Sequence, residues 1–214
     1  MLVKRRMSAP VITVPPDMSV PDCLKLMQQE RIRRTPVVDD KGRLIGIVSD
    51  KDLLNASPSD ATSLSVWEIT YLVNKIKVKD VMTKDVLTIG EDMPIEEAAR
   101  IMVDNKVGGL PVVNNGDLVG LITETDLFKL LLELMGARDQ GVRVTAVVPE
   151  KVGTLAKIAQ AIAAADASFL SFGEFSGDKA SNRIVTFKVR RLDEETVRKI
   201  VEPVVDEIID IRTN

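Results

Sequence analysis

Apolar positions along the first two thirds of the chain alternate between two periods, and each change of period marks an element. Val20, Cys23, Leu24 and Met27 fall at helical spacing behind Ser19, a plausible N-cap. Two short apolar strands follow, joined by Asp39-Asp40-Lys41-Gly42, and the second feeds a helix starting near Asp50. The same succession returns further on. Ile95, Ala98, Ile101 and Met102 form a helical face behind Pro94; two strands joined by Asn114-Asn115-Gly116 then lead to a helix starting near Glu124. Extended pieces at Val11 to Val14 and Val86 to Ile89 precede the two helices, so each half reads β-α-β-β-α.

The two halves are one unit written twice. Met7 overlays Met82 at an offset of 75, and Thr13 then matches Thr88, Asp17-Met18 matches Asp92-Met93, and Pro36-Val37-Val38 matches Pro111-Val112-Val113. A second turn shorter by one residue makes the offset 74, so that Gly46 matches Gly120 and Asp52 matches Asp126. Repeated units too small to close a core alone are expected to pack on each other. Between them, Ala56 to Asp60 reads as a loop, and Leu64, Trp67, Tyr71 and Leu72 lie at helical spacing to about Lys75. Trp67 and Tyr71 either staple this connecting helix to its own domain or bury against a second subunit, since such rings are enriched in interfaces.

Beyond Gly136, Arg138 to Gly141 reads as a linker and the pattern changes. Val142 to Val148 is a strand, Leu155 to Ala165 a helix, Phe169 to Phe175 and Arg183 to Val189 a hairpin, Asp193 to Val201 a helix, and Val204 to Ile211 a strand. That order, β-α-β-β-α-β, is the ferredoxin-like split unit. The expected domains are thus 1–75 with the connecting helix, 76–136, a linker at 137–141, and 142–214.

Composition narrows the chemistry. The 214 residues are 45% hydrophobic and 29% charged, with a net charge of −3 and a pI near 5.2. This is ordinary for a soluble globular chain and offers no general attraction to nucleic acid or an anionic membrane. There is no histidine and one cysteine. That excludes Ser-His-Asp and Cys-His nucleophiles, imidazole or multi-thiolate zinc sites and an intrachain disulfide, and Cys23 sits in an apolar helical pattern as a core thiol. No apolar run follows the basic start as in a signal peptide, and none is long enough to span a bilayer, so a cytoplasmic, non-enzymatic protein without a cofactor is expected.

The chemistry with a pattern lies in Ser49-Asp50-Lys51-Asp52 and its twin Thr123-Glu124-Thr125-Asp126. A hydroxyl N-cap with an acid three positions on is a capping box. Aspartate is shorter than the preferred Glu or Gln, which leaves its carboxylate available to a ligand, and a helix start favours phosphate. The copies differ nearby. The first has Arg33-Arg34 and Lys51; the second has Gly108-Gly109 and Thr125 in the same places. An arginine fork binds phosphate through parallel charge-assisted bonds, each worth roughly 1.5–3 kcal/mol, so the first seat is expected to prefer the charged ligand.

On the Met-Ser and Met-Thr starts, the Arg33 to Asp39 and Gly109 to Asn114 runs, and the Gly-x-(Val/Ile)-(Ser/Thr)-x-x-Asp-Leu ends, residues 7–53 and 82–127 resemble cystathionine-β-synthase (CBS) domains in tandem. The tail, with Pro149-Glu150-Lys151-Val152-Gly153-Thr154-Leu155 at its first strand-to-helix turn, resembles an ACT domain, and the whole order is similar to acetoin-utilisation-type CBS proteins. The resemblance implies an α/β (α+β) fold in which two CBS units pack as one pseudo-symmetric module beside a ferredoxin-like ACT domain. It implies two clefts for an adenosine nucleotide such as AMP, ADP or ATP. In the first, Asp52 would take the ribose and Ser49 lie near phosphate, with Val11, Ile12 and Thr13 lining the adenine slot and Arg33, Arg34, Thr35 and Lys51 nearby. In the second, Asp126 and Thr123 take those roles, with Val86, Leu87, Thr88, Gly109, Leu110 and Thr125. For the tail it implies either an amino-acid effector held at Glu150, Val152 and Gly153 or assembly through the sheet, and for the whole a regulatory homodimer with an unidentified protein target. The alternative is a structural dimerisation module with empty clefts.

Overall fold

The computed structural model describes residues 1–56, 72 and 74–214, and the helix expected around Leu64, Trp67 and Tyr71 lies outside the described residues. Contacts divide the chain into two compact units, Met1–Leu127 and Phe128–Asn214.

In the first unit, the first copy runs through α1 (Val20–Glu30), β1 (Arg34–Val38), β2 (Leu44–Ser49) and α2 (Asp50–Asn55). The second runs through α3 (Val78–Val81), β3 (Ile89–Gly90), α4 (Ile95–Asn105), β4 (Gly109–Asn114), β5 (Asp117–Thr123) and α5 (Glu124–Leu134). The unit boundary falls inside α5. Ser19 caps α1 by accepting from the Asp22 amide, and Pro94 stands at the cap of α4. Both helices end at a left-handed residue, Arg31 and Lys106, each with φ 55° and 75 positions apart. Val20, Cys23 and Met27 are buried from α1, and Ile95, Ala98 and Met102 from α4, as the helical spacing predicts. The hairpins match as well: β1–β2 and β4–β5 are antiparallel, with irregularities at Val37/Val38 and Val112/Val113. The extended lead of each copy lies parallel to its own hairpin, through Val14 beside Val37 and Ile89 beside Val112.

What comes before those leads is exchanged. A 3₁₀ turn at Val3–Arg5 and helix α3 occupy equivalent places, so the repeat begins at Val3 and Val78, earlier than the pairing of Met7 with Met82 suggests. The Val3 amide donates to the Met93 carbonyl and the Lys4 amide to Glu91, both in the second copy. The Val78 amide donates to Met18 and the Lys79 amide to Pro16, both in the first. Ion pairs repeat the pattern, Lys4 with Asp92 at 2.6 Å and Lys79 with Asp17 at 2.5 Å. Ser8 then pairs with Leu121 of β5, and Thr83 with Ile47 of β2. Val78 is fully buried in the first copy's core with Val14, Val37, Val48 and Leu53, a burial worth about 1.5–3 kcal/mol for one valine. The methionine opening each copy lies on the other copy's strand glycine, Met7 on Gly120 and Met82 on Gly46.

The second unit contains β6 (Val142–Pro149), α6 (Thr154–Ala164), β7 (Ser168–Ser176), β8 (Asn182–Arg190), α7 (Glu194–Val201) and β9 (Glu207–Thr213). Its antiparallel sheet is ordered β7-β8-β6-β9, the ferredoxin-like arrangement. Val142, Val144, Ala146 and Val148 alternate into a core with Ile158, Ile162, Phe187, Val197 and Val201. The last strand begins at Glu207 and not at Val204, because Glu202–Val204 forms a 3₁₀ turn around Pro203. The stretch expected as a linker is anchored. Lys188, on the face of β8 away from that core, is 2% exposed, and its ammonium donates to the carbonyls of Gly136 (3.1 Å) and Asp139 (2.5 Å). A buried ammonium is tolerable only with such partners.

Two outcomes follow from this packing. A Cβ on Gly46 would overlap the Met82 sulfur and stand 3.1 Å from the Thr83 carbonyl oxygen, whereas one on Gly120 meets only the Met7 side chain. Gly46→Ala is therefore expected to cost about 1–3 kcal/mol in urea unfolding, more than Gly120→Ala, and Met82→Ala added to Gly46→Ala should cost less than the sum of the two. Burial pushes the Cys23 thiol up to about 11 from 9.0. The folded chain keeps a proton that the unfolded chain sheds between these values, so stability should fall as pH rises from about 9 to 11. A Cys23→Ala variant should flatten that part of a stability–pH curve.

Candidate functional site

Strands β2 and β5 end at the two hydroxyl residues, and the helix starts that follow are built alike. Asp52 Oδ2 accepts from the Ser49 amide at 2.8 Å and from Ser49 Oγ at 2.6 Å, while the Asp52 amide donates to Ser49 Oγ at 3.3 Å. Asp126 Oδ2 accepts from the Thr123 amide at 3.0 Å and Thr123 Oγ1 at 2.8 Å. The capping box read from the sequence is thus formed at Ser49, and its back-bond occupies one carboxylate oxygen that the shortness of aspartate was expected to leave available. The extended backbone of Ser49 (φ −109°, ψ 162°) turns its amide toward the first helical turn, within reach of the shorter acid. Each acid thus has a structural task, one oxygen of Asp52 performing it.

The register sets the arginines beside these caps. Arg34 pairs with Ser49 across the first hairpin, and the Asp50 amide donates to the Arg33 carbonyl at 2.9 Å. In the second copy Gly109 pairs with Thr123 and the Glu124 amide donates to Gly108 at 3.2 Å. The side chains do not stay with their own copy. Arg33 Nη2 lies 3.4 Å from Thr125 Oγ1. Arg34 runs over Gly108 and Gly109, and its guanidinium shares the space above Gly108 with the Glu124 carboxylate. Burial lowers the proton affinity of Arg34, and Glu124 opposes that effect more than any other charge. Sequence reasoning attached both arginines to the first copy; the structure brings their side chains to its junction with the second. It also missed Glu124, whose position beside the second cap was legible but whose facing partner was not.

The remaining predicted residues divide by exposure. Val11, Ile12 and Thr13 are half-buried beside β1, and Val86 is half-buried while Leu87 and Thr88 are exposed. Thr35 is fully buried, and its hydroxyl donates to the Ile12 carbonyl at 2.6 Å, so it fixes the adjacent segment. Leu110 is a core side chain, and Lys51 is exposed.

In the second unit the turn after β6 borders a pocket of about 350 Å³ lined by Glu150, Gly153, Thr154, Glu174 and Arg183. Gly153 caps α6 with φ 89°, and Thr154 Oγ1 closes the turn by donating to the carbonyls of Pro149 and Lys151. Glu150 is ion-paired to Arg183, which raises the Arg183 proton affinity. Val152 points wholly into solvent. Arg183 and Glu174, on neighbouring strands, are the pocket residues that sequence spacing could not bring to Glu150.

No group of three or more potential metal-ligating side chains occurs among the described residues, and no described helix is long and apolar enough to cross a membrane. The CBS domain family profile matches residues 3–59 and 78–133. Among solved structures, a protein assigned to acetoin utilization (AcuB) from Vibrio cholerae is 30% identical with TM-score 0.53, over 65% of this chain and 96% of that one. The CBS domain pair of protein MJ0100, in complex with 5′-methylthioadenosine and S-adenosyl-L-methionine, is 28% identical with TM-score 0.52, over 65% and 98%. CBSX2 in complex with AMP is 32% identical with TM-score 0.50, over 61% and 96%.

Proposed function

Because the chain belongs to the CBS-domain family, we propose that its tandem pair is a non-enzymatic sensor for adenosine nucleotides of the AMP, ADP or ATP type. The observation that carries this reading is the pair of matched strand-to-helix caps, each with an aspartate whose carboxylate is fixed by its own hydroxyl residue. Asp52 Oδ1 accepts no hydrogen bond within the described residues, which leaves it for a ribose hydroxyl. Similar CBS pairs hold AMP, 5′-methylthioadenosine and S-adenosyl-L-methionine. Val11 to Thr13 and Val86 to Thr88, beside the hairpins, would take the adenine rings.

The sensor would act as a homodimer. Helix α5 exposes Phe128, Leu131 and Leu134, an apolar row that a second copy would cover. We read the second unit as an ACT-type element for effector binding or assembly, on its strand order and the pocket beside Glu150 and Gly153. Nucleotide would regulate the assembly by binding one arrangement of it better than another.

Melting the full chain with AMP, ATP, S-adenosyl-L-methionine and amino acids tests this. A binder stabilises by about 2.7 kcal/mol at a hundredfold excess over its Kd, and by more as concentration rises. Asp52→Asn with Asp126→Asn should remove the nucleotide shift and leave any amino-acid shift intact. Wild-type AMP affinity in that double variant would overturn the ribose assignment, and no shift with any nucleotide would favour a purely structural module.

A further inference from the structure

Arg34 presents five N–H donors in a half-buried place, and its guanidinium donates no hydrogen bond within the described residues. Arg33 stands beside it, adding a like charge that lowers its proton affinity further. The group reaches this place only because the second copy has no side chains there. A Cβ on Gly108 would overlap the guanidinium, and one on Gly109 would stand 2.8 Å from Arg34 Cδ. The nearest counter-charge is Glu124: the same point above Gly108 lies 2.7 Å from Arg34 Nη1 and 2.7 Å from Glu124 Oε2. Glu124 is exposed and opens α5, so its carboxylate can leave without disturbing the core.

Resting on the nucleotide reading above, we propose that Glu124 is an internal anion that competes with a ligand phosphate for the Arg34 guanidinium at the junction of the two copies. Glu124 therefore sets the preference between ligands. A phosphorylated adenosine gains the guanidinium but meets the carboxylate's charge; an adenosine with an uncharged 5′ group meets neither. The selectivity the sequence ascribes to the first copy alone becomes a property of the junction, governed by one residue from each copy and by the glycines that let them meet.

Calorimetric titration of the full chain with AMP and with 5′-methylthioadenosine tests this. Arg34→Gln should weaken AMP about tenfold, in keeping with the loss of one charge-assisted bond. Glu124→Gln should tighten AMP severalfold. In both variants the affinity for 5′-methylthioadenosine should stay within about twofold, because a neutral ligand does not compete with the Glu124 carboxylate for the guanidinium. Unchanged AMP affinity in Arg34→Gln and Glu124→Gln, or parallel shifts of both ligands, would overturn the proposal and leave the nucleotide reading standing. Failure of the unmodified chain to bind either ligand would overturn both.

Discussion

The exchange of leading segments between the two copies is the constraint on which the first unit depends. Val3 is held by the second copy's Met93 and Glu91 region, and Val78 by the first copy's Met18 and Pro16 region. Neither half can close its core alone, since Val78 completes the packing around Val14, Val37 and Leu53. The contact is also tight. Met7 and Met82 lie where any side chain on Gly120 or Gly46 would stand, and at Gly46 the backbone of the other copy, at Thr83, approaches as well. A thioether is suited to this, having no branch at Cβ and several rotatable bonds with which to fill an irregular space.

That interlock places the chemistry. The exchanged pairings Ser8 with Leu121 and Thr83 with Ile47 fix each copy's second strand against the other copy's lead. The strands end at Ser49 and Thr123, so the two caps come to face one another across the junction. The hydrogen bond of Arg33 to Thr125, and the packing of Arg34 on Gly108 and Gly109, are consequences of this approach. Packing decides the distance; charge then decides what the junction can hold.

Much of this was legible in the sequence because it is local. Ser19 as a cap, the hairpin turns at Gly42 and Asn115-Gly116, the apolar faces of α1 and α4, and the order of the last six elements all follow from residue type at short spacing. The start of the repeat was also in reach, since Val3-Lys4 and Val78-Lys79 share the 75-residue offset, but a buried valine in a short turn gives no periodicity to find. What stayed hidden depends on partners distant in the chain. Helical spacing cannot show that Lys188 would be buried by the carbonyls of Gly136 and Asp139, nor that Arg34 would cross to the other copy. The back-bond of Asp52 is a different case, since the capping box was legible and only the share of the carboxylate it takes was not. It is local, but it turns on a backbone angle and not on side-chain length.

The asymmetry between the copies then has a steric cause. At the offset of 75, Arg34 corresponds to Gly109 and Arg33 to Gly108, so Arg34 lies over its own counterpart and over that of Arg33. A residue facing its own equivalent cannot be large in both copies at this separation. Arginine in both places would also gather four guanidinium groups around one half-buried point, where like charges are screened poorly. Duplication keeps the caps because each serves its own helix, whereas the junction must be divided. One copy supplies the cation, the other supplies the space and, in Glu124, the opposing charge. A module built from two copies of one sequence pattern thereby has one charged centre where two equal ones would not fit.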